Sequence, residues 1–434
     1  MAVEGDAKNE AGAESERPAK RARFNWIGSE SHGLDKPQVE RYSRQLLVPA
    51  FGVAGQGTLC CASILVVGAG GLGSPVLLYL AAAGVGTLGI ADDDVVEQSN
   101  LHRQVIHTEA AAEAGNPKTT SAKEACQRIN SSIKVVEHRT RFTAANALDL
   151  VRPYDVIVDA SDNVATRYVV NDACVVAGKP LVSGAALGME GQLAVYHDRP
   201  GAPCYRCMFP VPPVGARRCA DAGVLGVVPG IIGSLQALEA IKVATGIGEP
   251  LSARMLIFDA LTTRLQTVKL RGRSATCAAC GDQPTITAET LPSFDYAHFV
   301  SADTDPSPLP VLSAAESVSC AAYKARVVDA GRPHVVVDVR EAHQFAIAAL
   351  PGAISIPLKH LVNRIADVQA AVAEAAARCP AESAAPDVYV VCRRGNDSKI
   401  GTRLLRQKGI GNAFNLTGGV VAWADEIDPS FPTY

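Results

Sequence analysis

Apolar and polar positions along the chain follow three regimes. Up to about residue 38 the text is rich in Ala, Glu, Lys and Ser with no apolar period, which predicts a mobile leader over 1–38. From Arg41 to about Ile286, short apolar runs alternate with stretches of helical period. That alternation predicts a parallel sheet with crossover helices. Ala62–Val67, Thr87–Ala91 and Asp155–Asp159 predict strands, and Ser74–Ala83 predicts a helix. Between about Thr287 and Pro310 the pattern fails, and turn-formers such as Asp303-Thr304-Asp305-Pro306-Ser307-Pro308 predict a linker over 287–310. A second alternation runs from Val311 to Tyr434, with a strand expected at Asp387–Val391 and a helix at Ser398–Leu405. The expected class is α/β throughout: a larger domain with a mostly parallel sheet over 39–286 and a smaller one over 311–434.

Composition narrows this picture. The chain has 434 residues, against a prior of roughly 150 per domain, so two or three units are expected. Lys+Arg number 41 and Asp+Glu 44, a net charge of −3, which argues against a broad basic grip on nucleic acid. Apolar runs such as Ile64–Val67 and Val76–Ala83 fall well short of the roughly 20 residues that cross a bilayer, so no membrane partner is expected. Charges near the N-terminus leave no apolar core for a signal peptide. The Lys20-Arg21-Ala22-Arg23 run is read as solvated charge, with a nuclear-import signal as the alternative. Together with the 12 scattered cysteines, too few for a disulfide scaffold, this gives an expectation of a reducing, cytosolic setting.

The first chemical signal is Gly68-Ala69-Gly70-Gly71-Leu72-Gly73, which follows a predicted strand and opens a predicted helix. Glycines let backbone approach phosphate, the helix N-terminus offers free N–H groups, and an acid after the second strand suits ribose hydroxyls. Asp92, with Asp93 and Asp94, stands there. The text then departs from a dinucleotide dehydrogenase: Asp92-x-Asp94-x-Val96-Glu97-x-Ser99-Asn100-Leu101-His102-Arg103-Gln104, then Gly115-Asn116-Pro117-Lys118. Asn100 and Arg103 share a face on a helical turn, and Arg103 with Lys118 suits a triphosphate attacked at its α-phosphorus. Asp162, beside Asn163 just past the Asp155–Asp159 strand, is a candidate Mg²⁺ ligand.

The cysteines divide by context. Cys204-x-x-Cys207 and Cys277-x-x-Cys280 are two knuckles able to complete a tetrahedral site, although their separation exceeds that of a local zinc ribbon, and a redox pair or free thiols stay open on spacing alone. Cys219 follows Arg217-Arg218 in a Gly/Pro-rich loop, where two cations favour a thiolate, and an ordinary loop thiol is the alternative. Cys392 ends a predicted strand and opens Cys392-Arg393-Arg394-Gly395-Asn396-Asp397-Ser398 before a helix, a cradle of backbone N–H groups for a thiolate or persulfide. The position six residues on is Ser398, so the arginine of a phosphatase loop is absent. Cys60, Cys61, Cys126, Cys174, Cys320 and Cys379 are expected to be small buried hydrophobes.

The run from Ala62 to Asn163, with Arg41-Tyr42-Ser43-Arg44-Gln45 before it, resembles the Rossmann-like adenylating domain of the ubiquitin-activating-enzyme superfamily. That resemblance implies ATP and Mg²⁺ contacts from Gly71, Asp92, Ser99, Asn100, Leu101, His102, Arg103, Lys118, Asp162 and Asn163. It also implies a homodimer that sends Arg44 into the partner's ATP site, one structural Zn²⁺ on Cys204, Cys207, Cys277 and Cys280, and Cys219 on a loop beside the acyl adenylate. Val335–Val339 with Arg340-Glu341, Leu350-Pro351-Gly352-Ala353, the Cys392 loop and Leu416-Thr417-Gly418-Gly419-Val420-x-x-Trp423 resemble the rhodanese domain. The two together resemble the adenylyltransferase–sulfurtransferases of the molybdopterin-synthase sulfurylase type. On that resemblance the chain activates the C-terminal glycine of a ubiquitin-like sulfur carrier, takes sulfur from a persulfide donor such as a cysteine desulfurase, and serves tRNA wobble-uridine thiolation and molybdenum-cofactor synthesis. An NAD-dependent oxidoreductase and a non-catalytic module that binds ubiquitin-like proteins are the competing readings.

Overall fold

The computed structural model describes residues 33–212, 223–302, 312–378 and 385–434. Cys219, Cys379 and residues 303–311 lie outside the described residues. The chain divides into two units, the first ending at Thr304 and the second beginning at Asp305.

The first unit is built on an eight-stranded sheet. Its strands are β1 (Ser63–Val67), β2 (Thr87–Ala91), β3 (Lys134–His138), β4 (Val156–Asp159), β5 (Leu181–Leu187), β6 (Glu190–Tyr196), β7 (Arg254–Asp259) and β8 (Arg264–Lys269), in the order β3-β2-β1-β4-β5-β6-β7-β8. β3 to β5 in that order pair in parallel, whereas β5 to β8 form an antiparallel meander. Strands buried on both faces read as continuous apolar runs, and β1 shows why. Ile64 and Val66 point into one core, while Leu65 and Val67 point into the other. The first core is roofed by the helices Gly73–Ala83, Lys118–Ile129 and Val227–Thr245, the second by Val164–Ala177.

The Val227–Thr245 helix is, among the described residues, the one helix long and apolar enough to cross a membrane, a longer stretch than the apolar runs noted above. Its packing is that of a core helix: Ile232, Ala237 and Ala240 are buried on the sheet. Buried Glu239 accepts the Leu251 N–H at 2.8 Å and pairs with Lys242 at 2.5 Å.

Three expectations need correction. Residues 287–302, assigned to the linker, pack into the first unit: Leu291 and Tyr296 are core residues, and Phe294, Phe299 and Val300 lie against them. The polar text hid a sparse set of large side chains. The leader assigned to 1–38 overlaps folded chain, since Leu34 is buried and Asp35 caps a helix over Lys36–Arg41 with a reciprocal Gln38 bond. Cys61 is exposed and Cys60 half-buried because they end a surface helix, Gly52–Cys61, whereas Cys126, Cys174 and Cys320 are buried as expected.

The second unit has β9 (Ser317–Ser319), β10 (His334–Asp338), β11 (Ala353–Ser355), β12 (Asp387–Val391) and β13 (Ala413–Thr417), all parallel, in the order β11-β10-β12-β13-β9. The same two-faced logic holds. Val335, Val337, Val388 and Val390 join one core with the helices Ile365–Ala376 and Asp397–Gln407, while Val336, Tyr389 and Val391 join another with Gly419–Glu426.

Candidate functional sites

The strand order of the first sheet reverses between β1 and β4, and ligands of such sheets bind in the crevice beyond the strands' carboxyl ends at that point. Gly68 leaves β1 at φ +99, and a β-carbon there would lie 2.7 Å from the Ala160 carbonyl oxygen, so only glycine lets the two loops lie together. At the end of β2, the Asp92 carboxylate accepts N–H groups from Ala69 (2.8 Å) and Asp94 (2.9 Å), tying the acid to the glycine loop. Burial raises its pKa above the ordinary 3.8, opposed by the Lys118 ammonium. Lys118, buried at the start of its helix, pairs at 2.8 Å with the exposed Asp94 carboxylate. Arg103 donates to Asn100 Oδ1 (2.7 Å) and to His102 Nε2 (2.8 Å), and Asn100 in turn donates to Glu97 at 3.0 Å. A β-carbon on Gly71 would lie 3.3 Å from both Arg103 Cγ and Pro229 Cγ. The glycine loop, the arginine turn and the head of the Val227–Thr245 helix therefore meet.

Not every predicted ligand joins this group. Ser99 is exposed and lies 3.5 Å from Glu97, and Leu101 is half-buried. Asn163 spends its side-chain oxygen capping Val164–Ala177 through the Thr166 N–H at 2.7 Å, while Asp162 beside it is exposed. Arg44 is exposed on the Ser43–Leu46 turn and makes none of the contacts that bind the others together. Asp159, the last residue of β4, is fully buried and is held by Arg167 (3.1 Å), Ser161 (2.6 Å) and Ser183 (3.0 Å). That leaves Asp162 as the accessible carboxylate at this strand end.

Buried His107 braces the glycine loop. Its Nε2 lies 2.9 Å from the Ala69 carbonyl and its Nδ1 3.0 Å from Ser121 Oγ. A carbonyl only accepts, so the proton sits on Nε2 and the ring props the glycine loop from below. Burial holds its pKa below the ordinary 6.5.

The four knuckle cysteines converge although the pairs are far apart in sequence. Cys204 Sγ lies 3.9 Å from Cys207 Sγ and 3.6 Å from Cys277 Sγ, Cys207 lies 3.3 Å from Cys280, and all four sulfurs fall within 4.8 Å of one another. A tetrahedral ion with Zn–S bonds of about 2.3 Å requires sulfurs roughly 3.8 Å apart. The buried, all-sulfur donor set therefore fits a closed Zn²⁺ site with no open position for chemistry. The Ser274 N–H adds a further bond to the Cys207 sulfur at 3.3 Å.

Arg206, inside the first knuckle, was missed. Its guanidinium grips the buried Asp172 carboxylate at 2.8–2.9 Å. It is surrounded by the rings of Tyr168, Phe294, Tyr296 and Phe299, the nearest centroid at 4.5 Å. Tyr296 also donates to Asp172 at 2.7 Å. The presumed linker docks on this cage.

In the second unit Cys392 sits buried at the mouth of β12, where Gly395 N–H reaches its sulfur at 3.1 Å. Gly395 adopts φ +86, and a β-carbon there would lie 2.7 Å from Gly418 N. The loop is locked to the following turn by Val420 N–H on Cys392 O (3.0 Å) and Val421 N–H on Arg393 O (3.1 Å). Ser398 Oγ is 3.3 Å from Cys392 Sγ and 2.7 Å from Asn415 Oδ1. The side chains of Arg340 and Arg393 both close on Tyr434, over whose ring they stand at 5.8 and 5.0 Å.

Comparison with known proteins matches these two halves to two families. Residues 42–279 match the ThiF family and residues 320–426 the rhodanese-like domain. The chain is 52% identical to an adenylyltransferase and sulfurtransferase MOCS3 of Arabidopsis thaliana, over 93% of this chain and 87% of the relative. It is 48% identical to the MOCS3 of Sus scrofa, over 92% and 89%. The chain belongs to the MOCS3 family.

As a MOCS3-family member it is an enzyme, an adenylyltransferase joined to a sulfurtransferase, and the oxidoreductase and non-catalytic readings fall away. Among solved structures, the first unit is similar to Escherichia coli MccB crystallised with MccA-N7isoASN, at 25% identity and a TM-score of 0.51, covering 58% of this chain and 76% of that one. The MOCS3-family assignment also accounts for the α/β class expected of both units.

Proposed function

We propose that the first unit adenylates the C-terminal glycine carboxylate of a small ubiquitin-like sulfur carrier, and that the second unit delivers sulfur to it from Cys392. In the first step a carboxylate oxygen attacks the α-phosphorus of ATP and pyrophosphate leaves. Both partners are anions, so the step requires positive charge held in place beforehand. Arg103, fixed by Asn100, and Lys118, placed by Asp94, provide that charge beside a loop of backbone N–H groups. Asp92 is available to ribose hydroxyls, and Asp162 is the carboxylate that would hold Mg²⁺, which neutralises phosphate charge when bound.

In the second step the outer sulfur of a Cys392 persulfide attacks the acyl carbon and AMP leaves, forming an acyl disulfide. A second thiol then attacks the inner sulfur and releases the carrier thiocarboxylate. Cys219 is the candidate for that thiol, or for a thioester formed before sulfur arrives. The disulfide this leaves at Cys392 is opened by two equivalents of an external thiol reductant, and a persulfide donor such as a cysteine desulfurase then reloads the freed Cys392 thiol. By family membership the products serve tRNA wobble-uridine 2-thiolation and molybdenum-cofactor synthesis, the tRNA being reached through the carrier. A homodimer placing Arg44 in the partner's nucleotide crevice and a cytosolic location complete the reading.

One observation carries it: a glycine-loop crevice with Arg103 and Lys118 held beside it and a buried Cys392 sulfur under the Gly395 N–H occur on one chain. Carrier-dependent ATP–pyrophosphate exchange tests the first step. Exchange that requires the carrier supports it, and exchange absent with every ubiquitin-like carrier tried would refute it.

A further inference from the structure

Ser398 is fully buried at the second position of the Asp397–Gln407 helix, and Asn415 is buried on β13. Ser398 Oγ stands between two groups, 3.3 Å from Cys392 Sγ and 2.7 Å from Asn415 Oδ1. A hydroxyl has one proton, and an amide oxygen accepts only. The shorter contact takes that proton, so Ser398 turns a lone pair toward the sulfur. Asn415 is held in this orientation by its amide N–H group, which reaches Ser317 Oγ on the neighbouring strand β9 at 3.4 Å. A Cys392 thiol can donate its S–H to the waiting lone pair. Once Cys392 is persulfidated, its inner sulfur has no proton and meets that lone pair with one of its own.

From this arrangement we infer that Ser398 and Asn415 are positioning residues that favour the Cys392 thiol over its persulfide, which keeps Cys392 a relay that discharges sulfur instead of storing it. The inference rests on Cys392 being the sulfur carrier. The exchange it biases is balanced: Cys392–SH and a small persulfide R–S–SH give Cys392–S–SH and R–SH. The donor's S–S bond breaks, a new S–S bond forms at Cys392, and the Cys392 proton ends on the departing thiol.

The test equilibrates the full-length protein with a fixed ratio of glutathione persulfide to glutathione and reads the fraction carrying one added sulfur at Cys392 by mass spectrometry. The proteins are wild type, Ser398→Ala, Asn415→Leu and the double variant, with Asn415→Ala as the smaller change if the leucine form does not fold. Ser398→Ala is expected to raise the persulfide-to-thiol ratio about three- to tenfold, the scale of one weak hydrogen bond. Asn415→Leu is expected to raise it too, because the freed hydroxyl can then donate to sulfur, and to have no further effect once Ser398 is alanine. A general packing role would not move an equilibrium between two covalent states of a folded protein in this linked way. Unchanged occupancy in Ser398→Ala, or an Asn415 effect of equal size in both backgrounds, overturns the inference. Sulfur still loading onto the second unit of Cys392→Ala would instead overturn the carrier assignment.

Discussion

The glycine loop after β1 and the sulfur loop after β12 have the same plan, a parallel strand, a tight turn and a helix, yet they are built for different tasks. Around the glycine loop the chemistry comes from side chains on separate elements: Asp92 from the end of β2, Arg103 from a short turn, Lys118 from the next helix. Around Cys392 it is concentrated on one atom, which a backbone N–H and one hydroxyl reach. A phosphate chain is large and multiply charged, so dispersed cations suit it. A transferable sulfur is one atom, so the protein fixes one position and closes the turn over it with Gly395 packed on Gly418. The shared backbone plan supplies N–H groups, whereas the surrounding elements decide the chemistry.

Removing the Cys392 sulfur should separate the two loops most sharply. Cys392→Ala should abolish thiocarboxylate formation and leave carrier-dependent ATP–pyrophosphate exchange within about twofold of wild type, since one isolated interaction rarely reaches distant sites. Next in size is the metal. Pure protein should carry one zinc per chain by metal analysis. Cys277→Ser should lose it and destabilise the first unit by several kcal/mol, because binding energy at such sites is folding energy. Metal-free wild-type protein would overturn the Cys₄ assignment.

Arg206→Ala should cost about 3–5 kcal/mol in denaturant unfolding of the first unit, because it strands a buried Asp172 charge. A value below about 1 kcal/mol would show that the aromatic cage alone holds the 291–302 segment. Lys118→Ala should lower exchange by about 10²-fold, the scale of one preorganised electrostatic contact, without changing sulfur loading of Cys392. The smallest effect is acid sensitivity. Burial holds the His107 pKa below 6.5 and the neutral ring props Ala69, so its contribution is present above about pH 6.5 and is lost as pH falls through its lower folded value. Asp92 shifts in the opposite direction, so its carboxylate is protonated, and its bonds to the glycine loop weakened, at a pH above that of an ordinary aspartate. Nucleotide affinity should therefore fall in mild acid in wild type. His107→Gln should flatten that part of the profile.

Much of this was legible in the sequence because strand–glycine–helix punctuation and paired Cys-x-x-Cys motifs are local. The two knuckles became one site only through the fold, which closes 69 intervening residues between Cys207 and Cys277. What sequence could not reveal depends on burial. Arg206 looked like a basic residue between cysteines, and its aromatic partners sit almost 90 or more residues downstream or on the Val164–Ala177 helix. Residues 287–302 looked like linker because a few well-placed rings among Ser, Thr and Asp carry no period. The motif suggests Asn163 as a ligand but does not reveal that its side-chain oxygen also caps a helix through the Thr166 N–H. His107 and Asn415 gave no signal, since a loop prop and a proton acceptor depend on what lies across the sheet.

The most direct test of a divided adenylyl- and sulfurtransferase is the mass of the carrier itself. A ubiquitin-like carrier incubated with the full-length protein, ATP, a persulfide donor and a reductant should end with one C-terminal oxygen replaced by sulfur. The same mixture made with Cys392→Ala should stop at the adenylate. A carrier that leaves the wild-type reaction unchanged, or that gains sulfur equally with Cys392→Ala, would contradict the division of labour between the two loops.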